Sequence, residues 1–393
     1  MSLPITIIGA GQAGVKVAET LRALGVTDHI IMIGDEPHPP YQRPPLSKKY
    51  LLGKITDAQL WLQSPDLLKR KEIELWSGVR AEQVDAAARN VQLSDGRKLG
   101  YGKLIFATGS FPRRVPLPGA ELDGVHVLRS IADVLQLREA LADAGRVVII
   151  GGGYIGLEVA AVLAELGKQI SILEAQDRLL KRVTGQAVAS YLHELHRARG
   201  VDIRLSSAAR RIDGVRRVEQ VSLADGAVLS ADLVLMACGG IANDELARAA
   251  GVTCDGGIVV DAYGRASAPD IYAVGDCARF PSQRYGRTIR LESVQNAIDQ
   301  ARSVAQTIAG KPSAYDPLPW FWSDQFDTKL QIAGLSDGHT RSIVRGEPST
   351  GSFSVEYYIG DAFVAVDAIN DAKAYMSARR TLASSSPALE VAP

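Results

Sequence analysis

The chain has 393 residues, of which 44 are Lys or Arg and 44 are Asp or Glu, so its formal net charge at pH 7 is zero. No overall field favours nucleic acid or an anionic membrane, and a length well above about 150 residues predicts two or three domains. The three cysteines, Cys238, Cys254 and Cys277, form no C-x-x-C pair, which argues against a redox disulfide, a metal cage or a secreted scaffold and favours a reducing cytoplasm.

The N-terminal segment combines a short strand with a glycine frame. Ile5-Thr6-Ile7-Ile8 leads into Gly9-x-Gly11-x-x-Gly14-x-x-x-Ala18, and a helical apolar periodicity follows. The first glycine permits a tight turn, the second lets backbone approach a pyrophosphate, and the third lets the helix pack on the strand. The helix N-terminus adds N–H donors and a positive dipole end. The pattern predicts a dinucleotide site.

A second strand is predicted at 30–33, and an acid after it is expected to bind the ribose of the dinucleotide. Asp35 and Glu36 both stand there, with Asp35 slightly preferred. The next loop is rich in proline and contains Tyr41-Gln42-Arg43-Pro44-Pro45-Leu46-Ser47-Lys48. Because each proline fixes φ and extends the residue before it, we expect an ordered loop that holds Arg43 and Lys48 in place.

Short strand-and-turn units follow, and a strand at 103–106 runs into Ala107-Thr108-Gly109, where the pattern begins again. The strand Val147-Val148-Ile149-Ile150 leads into Gly151-x-Gly153-x-x-Gly156-x-x-x-Ala160. Four glycines, Glu158 and Glu165 make 147–166 a poor membrane span and favour strand, turn and helix. Two matching frames predict two dinucleotide sites, the arrangement of a protein that moves electrons between two cofactors.

The acid of the second unit is Glu174, eighteen residues after Gly156 and directly after a strand at 170–173. A carboxylate there repels a 2′-phosphate, so NADH is favoured over NADPH; the alternative is a solvated acid at a strand end. A strand at 271–274 leads to Asp276, and a helix at about 294–308 follows with Ser293 as its cap. From Leu318 aromatic residues and two strands predict a third, α+β unit, and the last dozen residues a frayed tail.

These segments together resemble the oxygenase-coupled, NADH-dependent ferredoxin reductases over residues 4 to about 380. Besides the two frames and the proline loop, the resemblance is carried by Ala107-Thr108-Gly109, Gly275-Asp276-Cys277-Ala278, Glu292-Ser293-Val294-Gln295-Asn296-Ala297 and Pro319-Trp320-Phe321-Trp322-Ser323-Asp324-Gln325. It implies a glutathione-reductase-like α/β fold with two Rossmann-type domains and a C-terminal α+β interface domain. The implied division is an FAD domain at 1–109 and 239–316, an NAD domain at 110–238 and the interface domain at 317–393.

The implied activity is an NADH:ferredoxin oxidoreductase that passes electrons through FAD to a two-iron ferredoxin feeding an oxygenase. The alternative is an NADH-dependent flavoprotein of the apoptosis-inducing-factor or rubredoxin reductase type. Disulfide reductases need paired thiols, and related oxidases need a cysteine near the first helix, where this chain has Ser47. The expected partners include neither nucleic acid nor a membrane, no metal is expected, and the expected compartment is the cytoplasm.

The resemblance also implies roles for individual residues. Lys48 is expected at the N5 edge of the flavin, Asp276 at the ribityl chain and the N-terminus of the Val294 helix at the pyrimidine edge. Lys48, Glu158 and Trp320 are the catalytic candidates; Lys48 is expected to pair with Glu158, and Trp320 to lie against the flavin. The cofactor-binding candidates are Gly9, Gly11, Gly14, Asp35, Arg43, Lys48, Val79, Ala107, Thr108, Gly109, Asp276, Val294, Trp320, Gly151, Gly153, Tyr154, Ile155, Gly156, Glu158, Glu174 and Gly239.

Two features leave alternatives open. In Met236-Ala237-Cys238-Gly239-Gly240 a Val-Gly-x-Gly-like run is expected, so Cys238 either tunes the nicotinamide site or fills space. The four arginines at 279, 284, 287 and 290 form a basic run that is a candidate ferredoxin docking patch beside Trp320. The alternative is a solvated loop whose arginines pair with Asp270 or Glu292.

Overall fold

A computed structural model of the chain describes residues 3–384. The α-helices in this range are α1 (Gln12–Ala23), α2 (Asp57–Leu60), α3 (Pro65–Arg70), α4 (Ile131–Asp143), α5 (Tyr154–Glu165), α6 (Gln186–Ala198), α7 (Glu245–Ala249), α8 (Val294–Ile308) and α9 (Ala372–Ser384). The 3₁₀ turns are Pro44–Ser47, Gly275–Cys277 and Pro348–Thr350.

The strands of the first unit and its small hairpins are β1 (Ile5–Ile8), β2 (Ile30–Gly34), β3 (Ile73–Ser77), β4 (Ala81–Asp85), β5 (Asn90–Leu93), β6 (Lys98–Gly100), β7 (Lys103–Phe106) and β8 (Ser110–Pro112). Those that follow are β9 (Val125–His126), β10 (Arg146–Ile150), β11 (Gln169–Leu173), β12 (Asp202–Arg204), β13 (Ala209–Asp213), β14 (Gln220–Leu223), β15 (Val228–Ser230), β16 (Leu233–Met236) and β17 (Gly240–Ala242). The last are β18 (Ile258–Val259), β19 (Ile271–Ala273), β20 (Ala278–Ser282), β21 (Arg287–Ile289), β22 (Trp320–Gln325), β23 (Thr328–Gly334), β24 (Arg341–Glu347), β25 (Ser352–Ile359) and β26 (Ala362–Ile369).

The first unit is a five-stranded parallel sheet in the order β19-β7-β1-β2-β3. Its strands are continuous runs of buried apolar residues, as a sheet covered on both faces requires. The helices α1 and α8 pack against each other, and their apolar residues share one core with β1. This packing brings the N-termini of both helices to the same region of the molecule.

The second unit repeats this architecture with the parallel sheet β12-β11-β10-β16-β9. The registers of the two sheets correspond: Ile8 is opposite Ile33 in the first, and Ile150 is opposite Leu173 in the second. Helix α5 is apolar over most of its surface because it is buried between its own sheet and the C-terminal unit. The two sheets confirm the predicted α/β class with two Rossmann-type units.

The C-terminal unit is a five-stranded antiparallel sheet in the order β22-β23-β26-β25-β24. On one face α9 packs through Tyr375 and Leu382 onto Ala333, Val366 and Ala368. The other face contributes a second set of apolar residues to a core shared with α5 and α6, namely Leu330, Ile332, Phe353, Val355, Tyr357 and Ile369. The predicted α+β interface unit is confirmed, and its sheet covers the second unit.

The chain returns to the first sheet after completing the second. Strand β19 (Ile271–Ala273) pairs with β7, far earlier in the sequence, and forms the edge of the first sheet. This return supports a discontinuous first domain, while the boundaries at 109, 238 and 316 remain predictions. The predicted frayed tail lies mostly beyond residue 384, outside the described residues, and α9 occupies 372–384.

Candidate active site

The two glycine frames form the same loop geometry. Gly9 has φ of +114° and Gly151 has φ of +113°, a conformation that residues with a side chain rarely adopt. At each position an added Cβ would also overlap a backbone carbonyl, that of Ala107 or that of Ala237. Glycine is therefore required at the first position of each frame, because the backbone directly after β7 or β16 lies against the loop.

The helices that leave these loops begin without side-chain caps. Gly11 and Gly153 are the N-caps of α1 and α5 and offer no side-chain hydrogen bond, whereas Ser130 and Ser293 cap α4 and α8. A Cβ added at Gly11 would meet nothing within 4 Å. The first N–H groups of α1 and α5 thus have no side-chain acceptor, an arrangement that suits the binding of an anion such as a pyrophosphate in each unit.

Glu174 follows β11 directly and is held against the second glycine loop. Its Oε2 accepts from the Gly152 backbone N–H at 2.8 Å and its Oε1 from the Gln176 backbone N–H at 2.8 Å. Two backbone donors fix the carboxylate beside the N-terminus of α5. This is the placement expected for an acid that binds a ribose and repels a 2′-phosphate.

The comparable position of the first unit is Gly34, not Asp35. Ile33 and Leu173 occupy the same register position, so the residues that follow them, Gly34 and Glu174, correspond. A side chain at Gly34 would come within 2.8 Å of the Ala10 Cβ, so no acid fits there. Asp35 lies one residue further on and is exposed, and its role as a ribose ligand remains a prediction.

The proline loop is ordered, as predicted, by contacts of Arg43. Its Nη2 donates to Glu36 Oε1 at 2.7 Å, and its Nη1 donates to the Arg129 carbonyl at 2.6 Å. Tyr41 Oη donates to the other Glu36 oxygen at 2.5 Å. Glu36 is therefore engaged within the loop, which then turns through Pro44–Ser47 and places Ser47 and Lys48 next to α5.

The predicted pair of Lys48 and Glu158 is present. Lys48 Nζ lies 2.7 Å from Glu158 Oε2, although the two residues come from different units. The same carboxylate oxygen accepts from Ser47 Oγ at 2.6 Å, and Oε1 accepts from Ser323 Oγ at 2.7 Å. Glu158 is only 5% exposed, so these three donors take the place of water that burial removes from its carboxylate.

Strand β22 presents alternate residues to α5 and α9. The ring of Phe321 packs on Tyr154 with centroids 4.5 Å apart, and Ser323 and Gln325 point to the same side. Trp320 and Trp322 stack on the opposite side at 5.8 Å, where the Arg379 guanidinium lies 4.8 Å from the Trp320 ring centroid. The Trp320 ring thus packs towards α9, and its contact with a flavin remains a prediction.

Asp276 lies in the turn that precedes β20 and is bound by two donors. Its Oδ2 accepts from Ser110 Oγ at 3.0 Å and from Arg129 Nη2 at 2.9 Å. The helix of Val294 is capped as predicted, since Ser293 Oγ accepts from the Asn296 backbone N–H at 3.0 Å. Asp276 and the start of α8 lie close together, because the Gly275–Cys277 turn packs on α8.

The remaining cofactor candidates lie at the carboxyl ends of the strands of both sheets or in the α5 helix start. Thr108 Oγ1 donates to the Asn243 carbonyl at 2.6 Å, and the Val79 backbone N–H donates to the Gly34 carbonyl at 3.0 Å. Ala107 and Gly109 follow β7, and Gly239 follows β16 and accepts through its carbonyl from the Arg113 N–H at 2.9 Å. Ile155 is 39% exposed on α5, next to Tyr154.

Cys238 is a neutral thiol that donates to the Ile150 carbonyl at 3.2 Å. Burial, reinforced by the charge of Glu174, raises the pKa of Cys238 to about 11. Of the two alternatives left by the sequence, this favours a residue that fills space and satisfies a backbone carbonyl.

The basic run does not form the local charge excess expected of a docking patch. Arg279 pairs with Asp255 at 2.5 Å, Arg287 with Asp337 at 2.8 Å and Arg290 with Glu292 at 2.6 Å. Arg284 Nη1 donates to the Leu382 carbonyl at 2.9 Å. Asp255 and Asp337 come from other segments, which is why the run looked unbalanced in sequence, whereas Glu292 is the neighbouring acid that the sequence offered as a partner. Asp270, the other acid considered, pairs with Arg89 and Lys103 instead.

Sequence reasoning missed the residues that surround Glu158. Ser323 and Gln325 lie in a segment that was assigned a role only through Trp320, and Ser47 was noted only as a position without cysteine. The alternation of side chains along a strand places Phe321, Ser323 and Gln325 on the face opposite the two tryptophans, and this alternation was the sequence signal for a second functional face. That this face meets α5 follows only from tertiary packing.

Residues 3–384 contain no group of three or more His, Cys, Asp or Glu side chains arranged to hold a metal ion. None of the helices in the same range is long and apolar enough to cross a membrane.

Most of the chain matches known protein families. Residues 3–301 match the pyridine nucleotide-disulphide oxidoreductase family, and residues 320–392 match the Reductase C-terminal family. A ferredoxin–NAD(P)⁺ reductase of Sphingomonas sp. is 42% identical over 379 residues, which is 96% of this chain and 92% of that protein. Putidaredoxin reductase of Pseudomonas putida is 42% identical over 372 residues, or 93% and 88% of the two chains.

Solved structures agree with these matches. The reductase in the covalent putidaredoxin reductase–putidaredoxin complex superposes with a TM-score of 0.93 at 41% identity and covers 96% of this chain and 92% of its own. An NAD-dependent persulfide reductase from A. fulgidus reaches 0.88 at 22% identity, with 97% and 76% covered, and shares the fold alone.

Proposed function

The chain belongs to the pyridine nucleotide-disulphide oxidoreductases and, within them, to the ferredoxin reductases of oxygenase systems; we therefore propose that it is an FAD-dependent NADH:ferredoxin oxidoreductase. It passes electrons from NADH through FAD to a two-iron ferredoxin, which feeds an oxygenase. The fold is glutathione-reductase-like, with FAD in the first Rossmann-type unit and NADH in the second.

The observation that carries this proposal is the ion pair of Lys48 and Glu158 between two uncapped helix starts. Lys48 comes from the loop of the first unit and Glu158 from the first turns of α5. Each unit also offers a pyrophosphate cradle at Gly11 or Gly153. The ion pair links the loop of the first unit to the helix that begins at the second cradle, and this supports electron transfer between two dinucleotides bound in the two units.

When bound, FAD would accept a hydride and release electrons one at a time. Amino acid side chains lack this chemistry. Gly11 and the start of α1 bind its pyrophosphate, and Asp276 and the start of α8 contact its other half. Lys48 places a positive charge at the ring edge, which favours added electron density there. Glu158 orients that lysine, and Phe321 on Tyr154 closes the site towards the C-terminal sheet.

NADH is preferred over NADPH because the Glu174 carboxylate is fixed where a 2′-phosphate has to lie. The FAD domain at 1–109 and 239–316, the NAD domain at 110–238 and the interface domain at 317–393 are part of this proposal. So is a cytoplasmic location, which three free cysteines support.

Anaerobic addition of NADH to the FAD-loaded protein tests the proposal. We expect the yellow flavin absorption to bleach with one equivalent of NADH per chain and to return when two equivalents of an oxidised two-iron ferredoxin are mixed in, each ferredoxin taking one electron and bleaching in its place. Flavin that stays oxidised with NADH, or reduced flavin that does not react with the ferredoxin, contradicts it.

A further inference from the structure

Glu158 lies at one end of a buried chain of hydrogen bonds that leads through the C-terminal sheet to His196 on α6. We propose that Ser323, Gln325 and His196 are positioning residues that fix the Glu158 carboxylate and, through it, Lys48. This inference rests on the proposed function for the role of Lys48. It assigns to the C-terminal sheet a task inside the redox site.

The donor and acceptor of the first link are determined by the charge of Glu158. Its Oε2 already accepts from Lys48 Nζ and Ser47 Oγ, at 2.7 and 2.6 Å, so the carboxylate is an acceptor. Ser323 Oγ must therefore donate its proton to Oε1, at 2.7 Å. Its oxygen is then free to accept, and Gln325 Nε2 donates to it at 3.2 Å.

The next link determines the orientation of the Gln325 amide and the tautomer of the His196 ring. With its nitrogen turned towards Ser323, Gln325 presents Oε1 to His196 Nε2 at 2.9 Å, so that nitrogen carries the proton. His196 Nδ1 has no hydrogen-bond partner among residues 3–384, in agreement with an unprotonated ring nitrogen. Burial lowers the pKa of His196 to about 4, which keeps the ring neutral at physiological pH.

Burial makes these assignments strict. His196 and Ser323 are 0% exposed, Gln325 is 1% and Glu158 is 5%, so bulk water cannot replace a missing donor. Each group in the chain therefore has one orientation that satisfies its neighbours, and all of them follow from a negative charge on Glu158.

The residues of this hydrogen-bond chain come from all three units. Ser47 and Lys48 are in the proline loop of the first unit. Glu158 on α5 and His196 on α6 belong to the second unit, and Ser323 and Gln325 are on β22 of the C-terminal unit. Removing Ser323 leaves Glu158 with donors on one oxygen only. The carboxylate is then free to rotate, and the ammonium of Lys48 moves with it.

The tautomer of His196 is a direct readout that needs no turnover. Long-range ¹H–¹⁵N NMR of the ¹⁵N-histidine-labelled, FAD-loaded protein at neutral pH is expected to show His196 protonated at Nε2 and unprotonated at Nδ1. The opposite tautomer would reverse the Gln325 amide and leave Ser323 unable to accept from it, which overturns the proposal. A His196→Gln variant assigns the resonance.

The kinetic arm compares Ser323→Ala with Ser354→Ala, a buried serine of the same sheet on β25, three strands away. Stopped-flow reduction of bound flavin by NADH is expected to slow about tenfold in Ser323→Ala, as loss of one hydrogen bond to a charged group implies, while the Kd for NADH changes less than about twofold. Equal rates in Ser323→Ala and Ser354→Ala overturn the proposal. If Ser323→Ala does not fold, Gln325→Met replaces it, with a slowing of about threefold expected and the same contradicting result.

These measurements separate this inference from the proposed function, because both use only NADH, the flavin and the protein. A wild-type protein that NADH reduces but that passes no electrons to a two-iron ferredoxin contradicts the proposed function alone. A wild-type protein that reduces ferredoxin while Ser323→Ala matches Ser354→Ala contradicts this inference alone.

Discussion

Glu174 is the residue that we propose selects NADH over NADPH. Its carboxylate is fixed by the backbone N–H groups of Gly152 and Gln176, so it cannot turn away from an incoming phosphate. Glu174→Ala is expected to lower kcat/KM for NADH about tenfold and to raise the NADPH value, which narrows the ratio between the two cofactors. The control is Glu194→Ala, an exposed acid on α6. Unchanged steady-state ratios in Glu174→Ala would remove the argument.

Lys48 has a neighbour that serves as its control. Lys48 is half-buried against Glu158, whereas Lys49 is exposed. Lys48→Met is expected to slow single-turnover flavin reduction by about tenfold or more and to change NADH binding by less than about threefold, because it removes the charge that we propose lies at the flavin ring edge. Lys49→Met should leave both unchanged. Equal reduction rates for Lys48→Met and wild type would reject the role of Lys48.

Asp367 is a buried acid outside the redox site. It accepts from Tyr357 Oη at 2.6 Å, and Tyr357 Oη accepts from the Gly185 backbone N–H at 2.8 Å, where the C-terminal sheet meets the second unit. Burial raises the pKa of Asp367 to about 7, against smaller lowering effects of Tyr357, the Gly185 backbone and Arg178. Between about pH 4 and 7 the folded protein keeps a proton that the unfolded chain releases, so this group lowers the free energy of unfolding as pH rises.

His196 acts in the opposite direction over part of the same range. Its lowered pKa of about 4 means that only the unfolded chain binds a proton between about pH 4 and 6.5, so stability rises with pH there. Asp367→Asn removes the decrease of unfolding free energy with pH that Asp367 causes and leaves the increase that His196 causes. From pH 5 to pH 8 the variant is expected to gain about 3 kcal/mol of unfolding free energy relative to wild type, at roughly 1.4 kcal/mol per pH unit. Urea unfolding of both proteins at pH 5 and pH 8 measures this. The same difference in unfolding free energy between Asp367→Asn and wild type at the two pH values would contradict the prediction.

At the scale of helices and strands, the glycine frames offer a paired test. Gly11 and Gly153 have φ of −94° and −84°, values that alanine also adopts. Gly11→Ala is expected to fold with normal apoprotein stability but to bind FAD at least about tenfold more weakly, because its methyl occupies the open cradle. Gly153→Ala should keep FAD and lose NADH affinity. Melting temperatures of both variants with and without FAD check this, and FAD affinity lost equally in both would refute two separate cradles.

The elements that sequence predicted well are those with strong local patterns. The Val294–Ile308 helix and its Ser293 cap follow from apolar periodicity and a serine at the boundary, and both are as expected. The two strand, turn and helix units follow from glycine spacing. The register of the two sheets pairs Gly34 with Glu174, a correspondence that distance from the glycine frame does not give, and the ribose role of Asp35 stays a prediction.

What sequence did not reveal are contacts between distant segments. Ser323 meets Glu158 across 165 positions, and nothing local to either residue marks the partner. The arginines at 279, 287 and 290 were interpreted as a patch because two of their acids, Asp255 and Asp337, lie in other segments. Such pairings depend on how the units pack, which hydrophobic periodicity does not encode.

At the scale of the whole molecule, three units converge on one carboxylate. The first unit supplies Ser47 and Lys48, the second Glu158, and the C-terminal sheet Ser323. The C-terminal sheet also shares an apolar core with α5 and α6. The C-terminal unit therefore contributes a side chain to the site and also covers the second unit.

Ferredoxin-dependent reduction of cytochrome c by NADH tests the central claim most directly. With FAD-loaded protein, NADH and a two-iron ferredoxin, cytochrome c reduction is expected to depend on ferredoxin and saturate with it, while NADH-dependent ferricyanide reduction proceeds without it. Rapid ferricyanide reduction with no ferredoxin-dependent cytochrome c reduction, at low or high salt and with any of several two-iron ferredoxins, would contradict the account.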